Sequence, residues 1–112
     1  MQRREGRVEF LGERSGTAED LLKRELIFEF ATRPDIQRAY LAKVGFQPQN
    51  ETAVAVCVVS TRSEDRSLVM RVGEIFRRRF AREVAVDILF LTAEQEAEIA
   101  RVCAPFYSLR RL

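Results

Sequence analysis

The apolar positions change period several times along the chain, and each change predicts an element. Arg7–Glu13 (RVEFLGE) alternates, with Val8 and Phe10 against Glu9, which predicts a first strand. Arg14–Gly16 follows as a turn. From Thr17 the period lengthens. Ala18, Leu22, Leu26 and Phe30 recur at every fourth position, flanked by Leu21 and Phe28, which is helical spacing. Thr17 with Asp20 resembles a capping box at the helix start. Arg33-Pro34-Asp35 predicts its end, because the residue before proline is pushed out of the helical region. Leu26–Phe30 (LIFEF) also suits a strand; its continuity with the capped start favours helix. Ile36–Val44 alternates again and predicts a second strand, polar enough to lie near a sheet edge.

Gly45–Glu51 reads as a loop, and Thr52–Thr61 (TAVAVCVVST) as the most apolar strand of the chain. Val54, Val56 and Val58 fall on one face, and Ala53, Ala55, Cys57 and Val59 on the other. A strand apolar on both faces is covered on both, so this one belongs in the interior of the sheet. The two strands around the loop predict a hairpin. A second helix is expected from Thr61–Arg66, with Ser63 as N-cap. Its stripe is Leu68, Val69, Val72, Ile75, Phe76 and Phe80, and Gly73 at the stripe's edge predicts close approach to the sheet. Val84–Leu91 predicts a fourth strand, with Val84, Val86, Ile88 and Phe90 opposite Ala85, Asp87, Leu89 and Leu91. Thr92 with Gln95 predicts another capping box. The helix it opens runs to about Cys103, with Ile99, Val102 and Cys103 on one side, and Pro105 stops it. Met1–Gly6 and the basic tail after Tyr107 read as loose.

The order β-α-β-β-α-β-α predicts an α+β fold. Its first six elements match the ferredoxin-like β-α-β-β-α-β plan, a four-stranded sheet in the order 4-1-3-2, with an additional C-terminal helix. One domain spans residues 1–112, with an ordered core over about 7–107. In this plan the first two helices cover one sheet face. The opposite face is then open, and the last helix and a partner surface are expected to share it.

Composition narrows the chemistry. The chain has no histidine, which removes Ser-His-Asp and Cys-His catalysis and imidazole metal ligation. Cys57 lies in the apolar strand and Cys103 on a helical stripe, so both read as small buried hydrophobes, with a thiol enzyme as the competing reading. A net charge of +2 is too balanced to indicate nucleic acid. No apolar run approaches the ~20 residues of a membrane span. The charged start MQRREGRVEF lacks the apolar segment of a secretory signal. A cytoplasmic protein is the expectation.

Three stretches together resemble the C-terminal domain of SseB, the enhanced serine sensitivity protein of bacteria. Arg33–Leu41 (RPDIQRAYL) looks like the family's P-x-V-x-x-A-Y-L strand start, with Ile36 in the valine place. Val86-Asp87 followed by apolar alternation is the second, and Pro105-Phe106-Tyr107 the third. Leu11-Gly12 suits the family's first strand and turn, although a proline often found soon after is missing. The resemblance covers about residues 7–107. It implies a bacterial cytoplasmic accessory domain, usually preceded by an N-terminal SseB domain that these residues do not contain. It brings no catalytic residues and no cofactor.

The candidate sites each have a structural alternative. Arg77-Arg78-Arg79 with Arg82 could meet phosphates, or could simply complement a helix C-terminus. RNA recognition on a four-stranded sheet needs aromatics on the middle strands, and the central strand has none. Asp87 in an apolar strand could be a perturbed acid or base, but spacing places no second carboxylate beside it. Tyr40, Pro105, Phe106 and Tyr107 form the candidate interaction surface, with packing of the PFY segment against the sheet as the alternative. The function expected is a non-catalytic protein-interaction or regulatory module, acting through an open sheet face and the C-terminal helix and PFY segment. A homo-oligomer or a partner protein is implied, and no membrane or nucleic acid. A small-molecule sensor, for instance of an amino acid, is the alternative, by analogy with other ferredoxin-like domains.

Overall fold

The computed structural model describes residues 7–47, 51–62, 65–79 and 86–109. In chain order these form β1 (Arg7–Glu13), α1 (Thr17–Ala31), β2 (Ile36–Gln47), β3 (Glu51–Ser60), α2 (Arg66–Arg79), β4 (Val86–Phe90), α3 (Ala93–Ile99) and β5 (Tyr107–Ser108). The fold is α+β, with three helices around one mixed sheet.

The ferredoxin-like order 4-1-3-2 is not adopted; the strands lie in the order β1-β2-β3-β4. β1 pairs antiparallel with β2, β2 antiparallel with β3, and β3 parallel with β4. The physical reason lies in the length of β2. It has 12 residues against 7 in β1. Its second half pairs with β1, from Glu13↔Ala42 to Arg7↔Gln47, and its first half projects beyond the end of β1. α1 lies along that projection. It starts beside Leu41, whose carbonyl accepts from the Arg14 amide, and ends at the turn where the Ile36 amide donates to the Arg33 carbonyl. Fifteen helical residues span roughly 22 Å. The β2 stretch from Leu41 back to Ile36 spans roughly 17 Å, so the helix is long enough to cover the whole projection. The chain therefore reverses once, after α1, and β2 returns beside β1. No crossover opens a gap for β3 between them.

This also corrects the placing of β2 at an edge. It is interior, and its polar side chains do not mark a sheet margin. Lys43 points to solvent, and Arg38 is engaged by α3. The β2–β3 hairpin and the interior place of β3 follow the sequence pattern, but the neighbours of β3 are β2 and β4.

The two faces of β3 part as its alternation requires. Val54, Val56 and Val58 join Leu22, Leu26 and Phe30 of α1 and Leu68, Val72, Ile75 and Phe76 of α2 in one core. Ala53, Ala55 and Cys57 join Tyr40, Ala42, Val44 and Phe46 in the other, under Ile99 and Cys103. The last helix and a partner surface were expected to share this second face. Its central side chains are buried within the chain, Ala55 and Cys57 completely so, in one core with Ile99 of α3.

Several helix starts differ from expectation. Gly16, and not Thr17, is the N-cap of α1, and no side chain caps it. The backbone of Gly16 has φ 144°, which favours glycine, and a Cβ there would meet Glu19 Oε1 at 2.7 Å. α2 begins at Arg66, with Asp65 Oδ1 accepting from the Leu68 amide at 3.2 Å. Ser63, Phe80, Arg82, Val84 and Ala85 lie outside the described residues. Gly73 does not approach the sheet, since the nearest group to a Cβ there would be the Arg77 side chain at 3.5 Å. α3 has the full capping box, Gln95 N–H to Thr92 Oγ1 and Thr92 N–H to Gln95 Oε1. It ends at Ile99, short of Cys103, and Val102 is exposed.

α1 and α2 are joined by ion pairs. Glu29 accepts from Arg33 Nε and from Arg71 Nε, both at 2.9 Å. Arg33 also donates to Ser67 Oγ at 3.2 Å. Partial burial pushes the Glu29 carboxyl up, but hydrogen bonds from Arg71 and Arg33 outweigh it and hold the group below its ordinary value.

Candidate interaction site

The projecting half of β2 needs an edge partner as well as a face cover, and the C-terminal segment supplies it. After α3 the chain passes around this edge from one face of the sheet to the other. The Phe106 amide donates to the Ala39 carbonyl at 2.9 Å, and the Leu109 amide to the Gln37 carbonyl at 2.8 Å. Between them β5 pairs antiparallel with β2, Arg38↔Ser108 and Ala39↔Tyr107. Ser108 and Leu109 are thus paired where a loose tail was expected, and Phe106 and Tyr107 fold back on the sheet as the packing alternative had it. The segment satisfies backbone groups that would otherwise form an open edge.

Phe106 and Tyr107 then pack against the end of α1. The Phe106 and Phe30 rings are 6.1 Å apart between centroids, and the Tyr107 ring meets Phe30 edge-on at 5.6 Å. The Tyr107 hydroxyl donates to the Phe30 carbonyl at 3.3 Å, in the last turn of the helix, where that oxygen also accepts from the Arg33 amide at 2.9 Å. Between Ile27 and Ala31 of α1 and the segment 105–109 an open groove of about 510 Å³ remains. Pro105 and Ala31 are exposed on its walls, and Ile27 is exposed beside them.

Tyr40 is not part of this groove. It lies in the core of the opposite face, where its hydroxyl donates to Glu96 Oε2 of α3 at 2.7 Å. Arg38 holds the same carboxylate through Nε and, at 2.8 Å, through Nη2. The Arg38 guanidinium keeps Glu96 below the usual carboxylate value, against a smaller opposing effect of burial. Burial, then the bond to Glu96, pushes the Tyr40 phenol up to about 12. This trio fastens α3 to the sheet.

Of the four residues expected to share one surface, Pro105, Phe106 and Tyr107 are together and Tyr40 is apart. Ile27, Ala31 and Glu96 were not singled out from the sequence. Ile27 lies off the Leu22–Leu26–Phe30 stripe, and that exposed apolar position was the signal that could have found it. Glu96 carried none, because its partners are distant in the chain.

The remaining candidates offer little chemistry. Burial drives the Cys57 thiol well above its ordinary range, and pushes Cys103 up to about 11. Neither is a nucleophile in this state. Asp87 is 5% exposed, on the same side of β4 as Leu89 and Leu91. Arg77 and Arg78 are exposed at the end of α2. Among the described residues no group of three Cys, Asp or Glu converges on a metal position. No helix there is long and apolar enough to cross a membrane.

The fold and the groove define a small α+β domain whose C-terminal segment closes the sheet edge. The family model described as SseB protein C-terminal domain matches residues 9–108. The chain belongs to that family, as the RPDIQRAYL, Val86-Asp87 and Pro105-Phe106-Tyr107 stretches implied. No curated protein and no solved structure matched the chain.

Proposed function

We propose that this domain is a non-catalytic protein-interaction or regulatory module of a bacterial cytoplasmic protein, and that it binds through the groove between α1 and the C-terminal segment. The observation that carries the reading is the groove itself. Ile27, Ala31 and Pro105 expose apolar surface beside a short strand at the sheet edge. That combination suits an extended or helical segment of another chain, whether a second copy or a different protein. The pairing of Phe106 and Leu109 with β2 gives the groove a firm wall.

Light scattering across a micromolar range, with Ile27→Asp beside the wild type, tests self-association. The reading predicts a concentration-dependent dimer that Ile27→Asp abolishes, or a wild-type monomer that binds a different chain through the same groove. A dimer indifferent to Ile27→Asp would move the interface elsewhere.

A second reading is a small-molecule sensor, for instance of an amino acid. The groove volume favours it, being within the several hundred Å³ that ligand sites occupy. A thermal-shift panel of amino acids at millimolar concentration separates the two. Stabilisation by one of them supports sensing, since a ligand bound only by the folded state raises its stability. No shift across the panel excludes it.

A further inference from the structure

The helical layer has a second outward surface, separate from the groove. Phe28 is 79% exposed and Met70 62% exposed, the two most exposed large apolar side chains among the described residues. They flank one ion pair. Phe28 precedes Glu29 on α1, Met70 precedes Arg71 on α2, and Glu29 and Arg71 are bonded across the helix joint at 2.9 Å. Leu21 lies one heptad before Phe28 and is also exposed, at 39%. On α1 the outward positions Leu21, Arg24 and Phe28 recur at helical spacing, and on α2 so do Arg66, Met70, Gly73 and Arg77. Gly73 adds no side chain of its own beside Met70.

The charges on this surface are unequal in their engagement. Glu29 is held by Arg33 and Arg71, and Glu74 by Arg71. Arg24, Arg66 and Arg77 are exposed and pair with no acid among the described residues. The joint between the two helices is therefore neutralised, with exposed apolar side chains and unspent cations on the helices to either side of it. We propose that the outward face of α1 and α2 seats an acidic amphipathic helix of a partner protein, with apolar contacts to Leu21, Phe28 and Met70 and carboxylates on Arg24, Arg66 and Arg77. Two adjacent helices offer a natural seat for a third. Methionine adapts to the shape of what it meets, and arginine binds carboxylates in a two-pronged geometry. A nucleic acid or lipid surface fits less well, because the exposed Asp20 and Glu74 interrupt the positive charge that an unbroken polyanion needs.

The proposal rests on the interaction reading but names a different face, so the test must locate the binding. The probe is a fluorescein-labelled amphipathic helical peptide with leucine on one face and glutamate on the other, titrated into the full chain. Its control carries lysine for glutamate. Binding of the glutamate peptide is expected at a Kd on the order of 10–100 μM, weakening with salt. The lysine peptide should bind at least tenfold more weakly. Phe28→Ser and Met70→Ser are each expected to weaken binding severalfold, and R66E with R77E to abolish it. These positions are exposed, and circular dichroism checks that the variants fold. Amide shifts in an NMR titration should centre on Phe28, Met70 and Arg77. Equal affinity for both peptides, no binding of either, or tighter binding to phosphatidylglycerol vesicles would overturn the proposal. Shifts confined to Ile27, Phe106 and Leu109 would also overturn it, while leaving the groove reading intact.

Discussion

Two glycines show how differently one residue type can be used. Gly16 sits at φ 144°, so Gly16→Ala meets backbone strain and also pushes on the Glu19 carboxylate that Arg14 holds. Gly73 is helical, and the space a methyl group would enter is ordinary contact distance from a flexible Arg77 side chain. Gly73→Ala should raise stability by about 0.5–1 kcal/mol, because it removes unfolded-state freedom at no native cost. Gly16→Ala should lower it by more than about 1 kcal/mol. Urea melts of the two variants give the opposite signs directly. Tyr40 supplies a second test at this scale. Its folded phenol titrates near 12 against about 10 in the unfolded chain. A raised pKa means that its contribution to stability is complete below pH ~10 and is lost as pH rises towards 12. Ultraviolet titration of the phenolate, with Tyr40→Phe as control, should show that late transition.

At the scale of elements, α3 is the most dependent piece. It has only 7 residues, too few to be stable alone, and is held by its capping box, by Ile99 and by Glu96. Glu96 is held below its ordinary carboxylate value, so its contribution is present above pH ~4.5 and lost as pH falls through the lowered folded value. Glu96→Gln should cost about 1–2 kcal/mol and speed hydrogen exchange in α3 more than in α1. Uniform exchange rates across both helices would contradict the fastening role. The capping box was legible because its residues are neighbours, Thr92 and Gln95. Glu96 meeting Arg38 and Tyr40 was not, because those contacts join distant segments. The alternations in β3 and β4 correctly divided the side chains between the two cores, and that in β2 did so from Ala39 to Val44, while an irregularity between Ile36 and Arg38 turns Ile36 into the core opposite Tyr40. What periodicity could not supply was strand order. It reports which residues share a face, and the antiparallel placing of β1 beside β2 uses Gly45, Phe46 and Gln47, which pair with Glu9, Val8 and Arg7 and which read as loop.

For the whole molecule, the consequence of the β2 projection beyond β1 is that the C-terminal segment becomes structural. It crosses the edge of the sheet, pairs with β2 and packs two aromatic rings on Phe30. A chain ending at Ala104 should lose at least about 3 kcal/mol, the usual cost of removing one buried aromatic. It should also associate through the bared β2 edge, which light scattering after a thermal melt would register. The same segment makes the groove, so stability and binding are coupled in it. The most direct test of the groove as a docking site places a photo-activated benzoylphenylalanine at Ala31, on the groove wall, and at Ala97, exposed on α3, in the chain expressed in bacterial cells. Binding in the groove predicts a discrete cross-linked species from Ala31 that is absent from Ala97. Equal adducts from both positions, or none from Ala31, would contradict it.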